Sequence, residues 1–114
     1  MALSTYDMEC LQKAKTLIEK DLSRHFTISE IAAVSGIGAT KLKQGFKEQF
    51  GYPIFDYLRR QRMLYAADLL SDTSKTIKQI AKTTGFQYTS NFTTAFTSFY
   101  HISPALYRRT KAKK

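Results

Sequence analysis

One pattern occurs twice in this chain, and that repeat limits the folds open to it. Residues 27–50 read TISEIAAVSGIGATKLKQGFKEQF, and a related pattern begins again at Thr76. Thr27 and Glu30 have the spacing of a capping box: the hydroxyl accepts the third helical amide while the carboxylate reaches back to the cap's own N–H. Phe26 and Ile31 stand at the two positions of a hydrophobic staple. Forty-nine residues later Thr76 and Gln79 repeat the box, Ile80-Ala81 repeat Ile31-Ala32, and Gly85-Phe86 repeat Gly36-Ile37. Past the turn, Phe92, Phe96 and Tyr100 follow Leu42, Phe46 and Phe50 at an offset of fifty, so the second turn is one residue longer. Two copies make a duplicated motif and not a solenoid.

Each copy predicts two short helices across a glycine turn, because Gly36 and Gly85 can take the positive φ that a sharp reversal needs. That is the form of a helix-turn-helix. Ala32 and Ala81 belong where the two helices cross, since a larger side chain would push them apart. Ahead of the first copy, Cys10, Leu11, Ala14, Leu17, Ile18 and Leu22 recur at helical spacing. This predicts a scaffold helix from about residue 7 to 23–25, with residues 1–6 as a disordered lead-in. Between the copies, residues 53–71 predict a long helix opened by Pro53 at its first position and well filled by Phe55, Leu58, Met63, Tyr65, Ala66, Leu69 and Leu70. At 1.5 Å per residue it would span roughly 28 Å. A last helix starts at Pro104. The expected fold class is all-α, with about seven helices. Two helix-turn-helix subdomains (7–52 and 72–110) would be joined by a linker helix (53–71) and followed by a basic tail (111–114).

Charge narrows the partner. The chain carries 18 Lys and Arg against 9 Asp and Glu, a net +9. Residues 1–37 hold 4 basic against 5 acidic side chains, and residues 38–114 hold 14 against 4. Such a balance points to nucleic acid, an anionic membrane surface or an acidic protein. Cys10 is the single cysteine, which excludes an internal disulfide, reads as a core residue and suits a cytoplasmic location. No apolar run approaches the roughly 20 residues of a membrane span, and no membrane partner is expected. His25 and His101 lack acidic or thiol neighbours at ligand spacing, so no metal or cofactor is read. No nucleophile–base set, carboxylate pair or phosphate loop is present, and an enzyme is not expected.

Stepping about 100° per residue from position 40 separates two faces of the second helix of the first copy. Leu42, Gly45, Phe46, Gln49 and Phe50 fall on one side, and Thr40, Lys43, Gln44 and Lys47 on the other. A short, polar, positive face suits a DNA major groove, where Gln pairs with an adenine edge and Lys with guanine O6/N7. In the second copy Ser90, Thr93, Thr94 and Thr97 lie opposite Phe92, Ala95, Phe96 and Phe99. A hydroxyl face bonds several base edges but discriminates poorly. The first copy is therefore expected to supply most base readout, and the second to settle on the backbone.

Together the glycine-turn pair, the run YLRRQRMLYAADLL, the Gly-Phe after the second turn and the ending FYHISPALYRR resemble the DNA-binding domain of AraC/XylS regulators. The resemblance covers residues 11–109. The run GIGATKLKQGFKEQFGYPIFDYLRRQRM is most similar to the PchR-type, siderophore-responsive branch. It implies a bacterial transcription regulator binding double-stranded operator DNA through two recognition helices, 39–50 and 89–100, in successive major-groove segments. It also implies base contacts from Thr40, Lys43 and Gln44 and from Thr89, Ser90, Thr93 and Thr94. Phosphate contacts fall to Lys41, Lys47, Arg59 and Arg108. RNA polymerase is implied as a further partner, with the domain monomeric in isolation and dimerisation left to an N-terminal module outside this chain. Three departures stand out. Thr94 and Thr97 occupy positions where many members carry Arg or Lys; His101 stands where glycine usually ends the helix; and Gly45 sits inside a helix. The competing reading is a basic helical adaptor whose partner is RNA or another protein.

Overall fold

The computed structural model describes residues 2–111, and the last three residues of the expected basic tail, 112–114, lie outside them. Among the described residues the chain forms seven α-helices and no strand. They are α1 (Thr5–Lys20), α2 (Ile28–Ser35), α3 (Ala39–Phe50), α4 (Ile54–Asp72), α5 (Ile77–Thr83), α6 (Thr89–Tyr100) and α7 (Pro104–Lys111). The chain divides into two compact units, Met1–Arg59 and Arg60–Lys114, and the division falls inside α4.

In the first unit α1, α2 and α3 pack on one another around Leu11, Ala14, Ile18, Ile31, Leu42 and Phe46, all with 1% exposure or less. Burying one such side chain contributes about 1.5–3 kcal/mol, so this cluster dominates the unit's stability. α4 adds Ile54, Tyr57 and Leu58 to the same core. Gly45 explains how close α3 lies to α1. A Cβ there would come within 3.1 Å of Leu11 Cδ1 and 3.2 Å of Leu3 Cδ2. The loss of helix propensity, about 1 kcal/mol against Ala, is thus tied to a specific interhelical approach.

The second unit is built around Met63, Ala66, Leu70, Ile80, Ala81, Phe92 and Phe96. Aromatic rings take a larger share here: Phe96 stacks edge-on against Tyr107, 5.4 Å between centroids, and lies 4.6 Å from Tyr100. The Tyr100 hydroxyl donates to the carbonyl of Met63 at 3.2 Å.

Both capping boxes form. Thr27 N–H donates to Glu30 Oε1 at 2.8 Å and Glu30 N–H to Thr27 Oγ1 at 3.1 Å; the Thr76–Gln79 pair matches at 2.8 and 3.0 Å. Gly36 and Gly85 take φ of 81° and 91°, as the turns require. The extra residue of the second turn lies after its glycine: Phe86, Gln87 and Tyr88 lead into α6, where only Ile37 and Gly38 lead into α3.

Three expectations need correction. Residues 1–6 are expected to be disordered, but α1 starts at Thr5 with a full capping box from Ser4 and Asp7. Gln49, assigned by the wheel to the buried side of α3, is exposed. Phe55 and Tyr65 stand among the apolar residues expected to fill α4, yet they are 43% and 40% exposed.

His101 ends α6 in the left-handed conformation, φ 67°, and its N–H donates to Thr97 O at 2.7 Å. Its counterpart ending α3 is Gly51, at φ 87°. A Cβ in this conformation costs about 1–2 kcal/mol, partly offset because glycine has more unfolded freedom to lose. His101→Gly should therefore stabilise the protein by roughly 0.5–1 kcal/mol, read as a rise in the urea midpoint at unchanged slope.

Candidate nucleic-acid interface

The position of α3 in its unit decides which of its side chains face outward. Leu42, Gly45 and Phe46 are buried, which turns Thr40, Lys43, Gln44 and Lys47 to solvent as one polar row. Lys43 also borders a cleft of about 300 Å³ formed with Ile28 and the start of α4, where Pro53, Phe55 and Asp56 line it. In α6 the buried Phe92 and Phe96 likewise turn Ser90, Thr94 and Thr97 outward. Thr89 is exposed at the first position of α6, whereas Thr93 is only partly so.

The first turns of these two helices differ from those of the supporting helices. α1, α2 and α5 each begin with a side-chain cap, from Ser4, Thr27 and Thr76. Gly38 is the N-cap of α3 and Tyr88 that of α6, and neither residue makes a side-chain cap bond. First-turn amides without a capping side chain are the groups that phosphate oxygens accept from.

The residues expected to touch phosphate have differing surroundings. Lys47 and Arg59 are exposed. Lys41 leans toward α1, its Nζ 3.4 Å from Asp7 Oδ2. The Ser4 amide and hydroxyl, together with this ammonium, hold the Asp7 carboxyl below the usual carboxylate range. Tyr6 lies beside it and donates to Gly36 O at 2.8 Å, with Cys10 Sγ 3.7 Å from the same carbonyl. The first turn of α1 thus fixes both the turn and the start of α3. Sequence reasoning missed Tyr6 and Asp7, although Ser4-Thr-Tyr-Asp7 has the spacing of a capping box.

Arg108 is half-buried against the end of α4. Its Nε donates to Leu70 O at 3.0 Å and its Nη2 to Thr73 O at 3.2 Å. It therefore satisfies carbonyls that the helix end leaves open. Arg62, in the basic run of α4, packs its guanidinium over Gly85: a Cβ there would sit 2.9 Å from Nη2. Burial pushes its pKa down from the ordinary arginine value.

The helix-turn-helix domain family matches residues 31–110, which takes in both glycine turns and both outward-facing helices. The chain belongs to the AraC-type helix-turn-helix family. It is 33% identical over 91 residues to the HTH-type transcriptional activator AarP of Providencia stuartii, covering 80% of this chain and 67% of AarP. Among solved structures, the C-terminal domain of AraT, a response regulator from Geobacillus stearothermophilus, superposes at TM-score 0.87. That match has 29% identity and covers 100% of this chain and 92% of AraT's. The DNA-binding domain of AdpA, solved in complex with a target DNA, shares the fold at TM-score 0.83 and 22% identity, covering 90% of this chain and 92% of AdpA's. The chain spans 37% of the length of one curated relative and 67% of another. No described helix of this AraC-type domain is long and apolar enough to cross a membrane.

Two outcomes test these local assignments. Arg108→Ala should destabilise the domain by about 1–3 kcal/mol, because a charged donor to helix-end carbonyls is lost, while Arg109→Ala, at an exposed position, should change the urea midpoint by no more than about 0.5 kcal/mol. A lowered carboxyl pKa stabilises the native state above the ordinary value, and this is lost as pH falls through the native one. The destabilisation of Asp7→Asn relative to the parent protein should therefore be present at pH 6 and shrink below about pH 4 in matched urea titrations.

Proposed function

We propose that this AraC-type domain binds duplex DNA sequence-specifically as part of a bacterial transcription regulator, with α3 and α6 entering successive major-groove segments. The carrying observation is the row Thr40, Lys43, Gln44 and Lys47, held outward by the buried Leu42, Gly45 and Phe46. A helix fits the major groove, and this row offers a bidentate amide for adenine and an ammonium for guanine. The paired helices across a tight turn match the geometry in which a second helix reads bases while the first crosses the backbone.

In this reading Thr40, Lys43 and Gln44 contact bases from α3. Thr89, Ser90, Thr93 and Thr94 make looser, hydroxyl-based contacts from α6, Thr93 with the least exposed surface to offer. Lys47 and Arg59 bind phosphate. Lys41 does so only by exchanging its partner Asp7 for a phosphate oxygen, and Arg108 only while also holding the end of α4. The uncapped first turns of α3 and α6 add backbone amides to the phosphate contacts.

Selection on random duplexes should return one enriched motif, and a selected pool with no preference would overturn the proposal. Lys43→Ala and Gln44→Ala should each cost about 1–3 kcal/mol on that motif and relax preference at one or two bases. Arg59→Ala should instead weaken all duplexes alike and flatten the dependence of log K on log salt by about one. Equal effects of all three on specific and random DNA would remove this division of roles.

A further inference from the structure

The two units differ far more in charge than in fold. The first, Met1–Arg59, has 8 Lys and Arg against 7 Asp and Glu; the second, Arg60–Lys114, has 10 against 2. Both acids of the second unit, Asp68 and Asp72, lie on α4, and no acidic residue follows them in the sequence. The outward face of α6 carries none of this charge, since α6 contains no ionisable side chain other than Tyr100.

Part of it is arranged on α5. Lys78 and Lys82 are exposed four residues apart, the spacing that lines side chains along one helix face, and the exposed Lys75 stands just before the cap Thr76. Ile80 and Ala81 of the same helix are buried, so the row is not there to fill the core. None of the three ammonium groups pairs with a carboxylate among the described residues. Like charges at this spacing destabilise a helix, and α5 is only seven residues long. The row therefore works against the element that bears it unless something anionic lies opposite.

The first copy supplies an internal comparison. Forty-nine residues before Lys75, Lys78 and Lys82 stand Phe26, Ser29 and Ala33, and Glu30 stands where the second copy has Gln79. The fold of a helix-turn-helix thus does not require a lysine row on its first helix. From Lys78 to Lys82 the helix rises roughly 6 Å, about the rise between phosphates two steps apart on one DNA strand. The first helix of such a motif is also the one that crosses the backbone.

We propose that Lys75, Lys78 and Lys82 form a sequence-independent grip on the DNA phosphate backbone, by which the second unit anchors the domain while α3 reads bases. This rests on the duplex-binding reading above. It assigns backbone contact to Lys78 and Lys82 of α5 and to Lys75 just before its cap, outside the set of Lys41, Lys47, Arg59 and Arg108.

The test uses the full chain carrying K75Q, K78Q and K82Q together, titrated by fluorescence anisotropy onto the selected duplex and a scrambled one across a salt series. With three ammonium groups removed from the backbone, the slope of log K against log salt should flatten by about 2–3. Affinity should fall on the order of 10- to 100-fold, by the same factor on both duplexes. The K75R, K78R, K82R variant should keep slope and affinity, and K13Q with K20Q on α1 should change the slope little. Circular dichroism confirms folding of each variant. An unchanged slope in the Gln variant overturns the proposal, as does a loss confined to the selected duplex. So does a loss seen only with single-stranded RNA or an acidic protein. If the parent protein itself fails to bind duplex, the reading under Proposed function falls; if it binds with a steep slope that the Gln variant retains, only the lysine grip falls.

Discussion

Everything outward-facing in the first unit depends on how closely α3 lies against α1. Gly45 has Leu11 and Leu3 carbons at what would be 3.1 and 3.2 Å from a Cβ, so even an alanine there would require those leucine ends to give by a few tenths of an ångström. With Leu42 and Phe46 buried on the same side, the helix has one rotational setting. A turn of about 100° per residue then puts Thr40, Lys43, Gln44 and Lys47 outward without any interaction of their own. The Gly36 carbonyl, accepting from Tyr6 and approached by Cys10, fixes the other end of the same arrangement. The outward polar row is therefore a consequence of apolar packing, and its residues are free to suit a ligand.

The second unit solves the same problem with partly different chemistry. Phe92 takes the place of Leu42, while Phe96, Tyr100 and Tyr107 repeat the aromatic cluster that Phe46, Phe50 and Tyr57 form in the first unit. At the buried position before the turn, Thr84 donates its hydroxyl to Ile80 O at 2.8 Å, whereas Ser35 in the first copy keeps a buried hydroxyl without a hydrogen-bond partner among the described residues. The helix-end position is Gly51 in one copy and a strained His101 in the other. Neither copy is optimal at every site. Each is locally consistent enough for one fold to tolerate a few costly positions.

Much of this is legible from residues alone because it is local. Capping boxes, glycine turns and the wheel of α3 all depend on spacings under eight residues, and the structure reproduces them with the bounds of α3 and α6 intact. What is not legible depends on partners far along the chain. Lys41 faces Asp7, thirty-four positions earlier, and Arg108 donates to carbonyls nearly forty positions away. No periodicity reveals such partners, so both look like ordinary surface cations. Gln49 is misplaced for a related reason: the wheel gives an angle, but the neighbours decide how wide the buried arc is. The start of α1 is the exception, since Ser4 and Asp7 carry the spacing of a capping box in the sequence itself.

The distribution of charge also bears on how a two-headed domain can combine grip with discrimination. A cation on a reading face attracts every duplex, since its attraction to phosphate does not depend on sequence. It therefore raises affinity for wrong sites along with the right one. In the proposed reading α3 accepts that compromise, with Lys43 and Lys47 on the same outward row as Gln44. α6 carries none, and its hydroxyls alone would hold DNA weakly. A second unit that relied on α6 would add little to binding. Under the proposed grip, Lys78 and Lys82 of α5, with Lys75 just before it, would separate the two demands: the attraction is present, but it acts on the backbone beside the groove. The second unit would then contribute an energy that is nearly the same for all sequences, with the differences between sequences left to α3. Such a division of labour explains why the unit with the poorer reading face has nearly all of the excess positive charge. It also explains why that charge is absent from the corresponding helix of the first copy.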